Sequence, residues 1–165
     1  MTLAEAAAQA DQLAAAGDER GLAALRQQWD EEVEHAARHA DYRQRAQAYR
    51  AIAQFRYRQK LELLRRGLED ESPAARGSAL IALEGLSRTH PGDVNAVRSL
   101  LHELATNDGN TAVRRLAIVC LKNGSPQRET ILILNGLADD DEQEADVRKS
   151  ARAVAVALQK RANTR

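Results

Sequence analysis

Leu104 to Leu121 reads LATNDGNTAVRRLAIVCL. It looks like the end of one helix, a short Asp/Asn/Gly turn, and a second helix that is almost wholly apolar. Two other segments share the layout: LEDESPAARGSALIAL, Leu68 to Leu83, and LADDDEQEADVRKSARAVAVAL, Leu137 to Leu158. A two-helix unit cannot bury its own apolar face, so repetition of such units implies a stack of helical hairpins.

The totals fit that reading. A chain of 165 residues, 44% hydrophobic and 29% charged, is long and apolar enough for a core. Aromatics are only 3%, which argues against a compact enzyme core rich in Phe and Trp. Lys+Arg and Asp+Glu both number 24, so no global field draws the whole chain to nucleic acid or an anionic membrane. The single cysteine, Cys120, excludes an internal disulfide and a cysteine-based metal site; within LAIVCL it reads as a buried small hydrophobe. The N-terminus carries Glu5 and Asp11 and no basic n-region, so it is not read as a signal peptide. No run approaches 18 apolar residues, so no membrane span is expected, and a cytoplasmic location is the default.

Punctuation divides the chain. Thr2 to Ala16 reads as an alanine-rich helix stopped by Gly17. Asp18 caps a helix with the stripe Leu22, Leu25, Trp29, Val33, Ala36 and Ala40. From Asp41 to Leu68 a stripe through Tyr42, Ala46, Tyr49, Ala53, Tyr57, Leu61, Leu64 and Leu68 predicts one long helix, bent if at all near Gln54. Ser72-Pro73 starts a helix to about Ser87. A turn ending in Asp93 caps a helix from Val94 to Ala105, with Val97, Leu100, Leu101 and Leu104 buried. Thr111 caps a helix to Leu121, and Ser125-Pro126 starts the next. A last helix spans about Ala145 to Arg161.

The second helices align. Ala75-Arg76 is followed by Ala79 and Leu83, Val113-Arg114 by Ala117 and Leu121, and Val147-Arg148 by Ala151 and Ala155. A weaker copy is Tyr42-Arg43, followed by Ala46 and then Arg50 where leucine belongs. The four arginines lie 33, 38 and 34 residues apart. The pattern of turn Asp, Val-Arg, Ala and Leu resembles the HEAT-repeat family, over Leu61 to Leu158 most clearly and Leu22 to Ile52 more weakly. The resemblance implies an all-α, right-handed superhelical stack of antiparallel helix pairs, an α-solenoid of about seven or eight helices. It implies one domain over 1–165: a degenerate repeat in 1–60, three repeats in 61–161 and a frayed tail at 162–165. It also implies a structural ladder of Asp70, Asp108 and Asp140 (or Asp141) against Arg76, Arg114 and Arg148, with Arg114 the most structural member.

Chemistry is sparse. There is no P-loop, no dinucleotide fingerprint and no nucleophile motif, so neither a cofactor nor a catalytic residue is expected. His35 and His39 lie one helical turn apart, with Glu31 and Glu32 a turn earlier; this half-motif lacks its second copy and is a weak metal candidate. The main candidate surface is basic. Arg43, Arg45, Arg50, Arg56, Arg58 and Lys60 interleave with Tyr42, Tyr49, Phe55 and Tyr57. Such a pattern suits an acidic protein patch or nucleic-acid phosphates and bases. The plain alternative is that the tyrosines are core and the arginines solvate the rest; the acidic segments Asp30 to Glu34 and Asp139 to Asp146 could also pair with this helix, within the chain or across a homodimer. The expected role is a non-catalytic binding or scaffold module for an acidic protein partner. A nucleic-acid binder is the alternative, and a HEAT-like DNA glycosylase or chromophore lyase a third reading implied only by resemblance.

Overall fold

In a computed structural model, residues 1–164 are described, and they carry ten α-helices, one 3-10 turn and no strand. The all-α class expected from the repeats holds, with more helices than the seven or eight anticipated because two long segments are broken. The chain packs as two compact units, Met1–Leu86 and the chain from Ser87 onward.

The first unit holds α1 (Leu3–Ala15), α2 (Glu19–Ala37), α3 (Tyr42–Gln54), α4 (Leu61–Leu68) and most of α5 (Pro73–Ser87). Thr2 and Glu5 form a capping box on α1: Thr2 Oγ1 accepts from Glu5 N–H, and Glu5 accepts from Thr2 N–H. Gly17, at φ +74°, closes the same helix with the left-handed residue of a Schellman motif. Asp18 Oδ1 caps α2, and Leu22, Leu25, Val33 and Ala37 form its buried face. Trp29, expected on that stripe, is only partly covered, although its Nε1 is out of solvent and has no hydrogen-bond partner among the described residues.

The predicted helix from Asp41 to Leu68 is two helices. α3 ends at Gln54, and a second Schellman turn follows, in which Tyr57 N–H donates to Ile52 O and Arg56 N–H to Ala53 O. Its left-handed position, φ +53°, is taken by Arg56 rather than glycine. The Arg56 guanidinium donates to Ala53 O and Gln54 O, and Arg26 Nε donates to Phe55 O at 2.7 Å. These bonds take up carbonyls that the helix end leaves open. A 3-10 turn, Arg58–Lys60, then leads into α4. The break changes which residues are inside: Ala48, Ile52 and Phe55 are each 0% exposed, whereas Tyr42 is 46% exposed.

The second unit holds α6 (Gly92–Asn95), α7 (Arg98–Asn107), α8 (Thr111–Leu121), α9 (Arg128–Asp139) and α10 (Ala145–Asn163). The helix expected over Val94–Ala105 is interrupted at Ala96–Val97, so Val97 and Leu100 are half-buried while Leu101, Leu104 and Ala105 are core. Asn110, not Thr111, caps α8, its Oδ1 accepting from Val113 N–H. α9 begins two residues after Pro126, with Gln127 as a cap without a side-chain bond. α10 extends to Asn163, beyond the expected end at Arg161, and of the expected frayed tail Arg165 lies outside the described residues. α8 packs on α7 and α10, and α9 packs on α10. Cys120 is buried, as expected, and Val119 on the same helix faces solvent. Inside the unit, His102 Nε2 and Thr130 Oγ1 pair at 2.9 Å. Burial pushes the His102 imidazole down, against the raising influence of Glu129 and with that of Arg98.

Candidate functional site

The four second helices share one frame, counted from the residue before each helix. Asp41, Ser72, Asn110 and Glu144 precede α3, α5, α8 and α10. Four residues later stand Arg45, Arg76, Arg114 and Arg148, whose N–H groups donate to those four carbonyls. Three residues beyond each arginine are Ala48, Ala79, Ala117 and Ala151, all 0% exposed. Ile52, Leu83, Leu121 and Ala155 follow at the next turn, all buried. The first copy is therefore Arg45-Ala48-Ile52, not Arg43-Ala46-Arg50. The shift of two residues restores an apolar side chain at the position where Arg50 had looked anomalous.

Each arginine also addresses the turn before it. Arg45 Nη1 donates to His39 O and Ala40 O, Arg76 Nη1 to Asp70 O, and Arg114 Nη1 to Asp108 O. The turn aspartates fold back on their own backbone: Asp70, Asp108 and Asp140 accept from the N–H of Ser72, Asn110 and Glu142. Arg76 and Arg114 thus reach the expected ladder aspartates through backbone carbonyls. Arg148 stands eight residues after Asp140 rather than six, and its Nη1 is 3.9 Å from the Asp141 carboxylate. Arg114 Nη2 is 3.8 Å from Glu144. The Nε groups of Arg114 and Arg148 are buried without a hydrogen-bond partner among the described residues.

The strongest pair lies where the sequence had suggested an open surface. Arg45 Nε and Nη2 grip the two Asp70 carboxylate oxygens at 2.8 and 2.9 Å, and Tyr49 Oη donates to the same carboxylate at 3.0 Å. Their side chains are 12% and 5% exposed. Burial pushes Asp70 up, but bonds from Arg45, Ser72 N–H and Tyr49 outweigh it and hold the carboxyl below its usual range. Tyr49 is pushed up to about 12 by burial and by Asp70. Gly67 packs beneath, where an added Cβ meets Ala79 Cβ at 2.9 Å and the Tyr49 ring at 3.0 Å.

The rest of the basic cluster is largely neutralised as well. Lys60 is buried; its Nζ lies 2.5 Å from Asp30 and 2.8 Å from Glu34, and 4.8 Å from the Tyr57 ring centroid. Tyr57 Oη donates to Asp30. Burial pulls the Lys60 ammonium down, but the two carboxylates outweigh it and raise it. Arg56 pairs with Asp11 at 2.9 Å, and Arg43 with the adjacent Asp41. Arg58 is exposed at the start of the 3-10 turn. Arg50 alone of the six predicted residues is exposed with neither an ion pair nor a side-chain hydrogen bond to the described residues. It lines a groove of about 410 Å³ with Ala4, Ala7, Ala53 and Ile81, the last 52% exposed. Of the aromatics, Tyr49 and Phe55 are core and Tyr57 is tied to Asp30, so no stacking platform forms.

His35 and His39 are exposed, with ring centroids 6.3 Å apart, and His39 Nδ1 accepts from Asp41 N–H. No group of three or more His, Cys, Asp or Glu side chains among the described residues is placed to hold a metal ion. No helix among them is long and apolar enough to cross a membrane.

Residues 31–104 match the family model of HEAT repeats. That part of the chain, 31–104, carries HEAT-like repeats. The match includes the Arg45 and Arg76 frames, and so takes in the N-terminal region where the resemblance had been weakest. No curated protein matches the chain. HEAT repeats generally mediate protein–protein interaction or scaffolding, and this is the coarse function the match supports.

Proposed function

We propose that the chain is a non-catalytic binding or scaffold module of HEAT type for a protein partner with an acidic patch. The observation that carries this reading is Arg50. It is the one predicted binding residue left exposed and unpaired, and it stands on a groove whose wall presents Ile81 to solvent. An unpaired guanidinium beside an exposed apolar side chain matches a carboxylate next to an apolar anchor. The nucleic-acid reading loses its support, because the cations meant for phosphate are held by Asp11, Asp30, Glu34 and Asp70. The glycosylase reading needs a pocket lined by Trp29 or by a tyrosine beside a carboxylate; Trp29 does not line the groove at Arg50, and Tyr49 and Asp70 are bonded to each other. Affinity capture with the full chain from its native host tests the proposal. A protein recovered by the wild type and lost with Arg50→Glu or Ile81→Asp supports it; recovery of nucleic acid, or of no protein, overturns it.

A further inference from the structure

We infer that the solvent face of α8 and α10 docks an acidic, amphipathic segment of a partner protein, an inference that rests on the protein-binding reading above and on different residues. The neutral total charge conceals a segregation within the second unit. α8 and α10 together contain one acidic residue, Asp146, while the acidic side chains gather on α7, α9 and the turns, above all Asp139–Glu144. Arg115, Val119 and Lys122 recur along one exposed stripe of α8. Lys149, Ala153, Val156 and Lys160 do so along α10, with Arg152 beside them. In the shared frame Arg115 and Lys149 are equivalent, each following its ladder arginine, and the two helices pack together. Arg161 joins their ends by donating to Lys122 O and Gly124 O.

These cations differ from those of α3. Arg115, Lys122, Lys149 and Lys160 make no ion pair or side-chain hydrogen bond to any described residue, and Arg152 donates only to Ala138 O. The same stripes carry exposed apolar side chains, with Val119 37% and Val156 53% exposed. From Lys149 to Lys160 the stripe is about 16 Å long, about three helical turns. A phosphate backbone satisfies the cations but leaves the valines uncovered. All five aromatic residues lie at or before Tyr57, so this face offers no ring for a base to stack on. A peptide of about three turns, with apolar side chains flanked by carboxylates, covers both features.

The test places a photoreactive side chain at Val119 of the full chain in native-host extract and identifies the cross-linked peptide by mass spectrometry. The expected result is a protein segment with carboxylates flanking apolar residues. The adduct should fall by about tenfold in Arg115→Glu/Lys149→Glu, and also on raising salt from ~50 mM to ~0.5 M. Arg115→Gln/Lys149→Gln, with helicity checked by circular dichroism, serves if the charge reversal does not fold. A nuclease-sensitive adduct, a second copy of the chain, an adduct indifferent to these substitutions, or no adduct overturns the inference. A probe at Ile81 separates the two readings. Capture there but not at Val119 leaves the module reading standing and removes this surface; capture at neither removes both.

Discussion

The Asp70 and Asp140 turns start alike and end differently. Each aspartate folds its carboxylate onto the N–H two residues ahead. At Asp70 the same carboxylate also receives two bonds from Arg45 and one from Tyr49, all within the first unit. At Asp140 the only other side-chain donor among the described residues is Gln143, at 3.5 Å, and the repeat's own arginine points to Asp141. Of these two, the aspartate expected to contribute more is Asp70, to which the preceding helix delivers its arginine in register under cover from water. The motif locates the turn; the neighbouring helix decides what the turn is worth.

The largest expected difference follows directly. Asp70→Asn leaves the mostly buried Arg45 with only the exposed Glu71 carboxylate, 3.8 Å away, and should cost about 3 kcal/mol, whereas Asp140→Asn should cost about 1 kcal/mol or less. Urea denaturation of the two variants checks this, and equal losses would remove the distinction. Gly67→Ala should come next, at about 1–3 kcal/mol, because its Cβ drives into the Tyr49 ring and Ala79; circular-dichroism melts measure it. A smaller contrast is expected from the arginines: Arg148→Ala should shift the urea midpoint far less than Arg45→Ala, since Arg148 is one-third exposed and its carboxylate is distant.

The smallest effect concerns pH. Burial lowers the His102 pKa in the folded state, so the fold holds the neutral ring and the unfolded chain takes up the proton first. The contribution of His102 is therefore complete above about pH 6.5, the usual histidine value. It declines as pH falls through that value toward the depressed folded one. His102→Gln should flatten the melting-temperature slope between about pH 6.5 and 5, and an unchanged slope would show that His102 is not its source.

The sequence showed the all-α class, the repeat and most helix starts, because caps and prolines are local signals: Asp18 and Ser72 both act where they were expected. It hid the break after α3. Both Schellman turns need a left-handed residue; Gly17 announces one, and Arg56 does not, being held by Asp11 and the carbonyls of Ala53 and Gln54 while Arg26 bonds the carbonyl of Phe55. The hidden break also displaced the repeat frame by two residues. Counting four residues from the capping Asp41 would have found Arg45. The candidate site misled for a related reason. Asp11, Asp30, Glu34 and Asp70 lie 25 to 45 positions from the cations they hold, and a charge run read along the chain cannot see them.

The placement of two single residues has a practical consequence. Trp29, half-buried, is the only tryptophan and belongs to the first unit; Cys120, buried, is the only cysteine and belongs to the second. The unmodified protein thus carries its own pair of reporters. Indole fluorescence follows the opening of one unit, and the rate of thiol labelling follows the other, so their cooperativity is measurable without adding a dye or changing a residue.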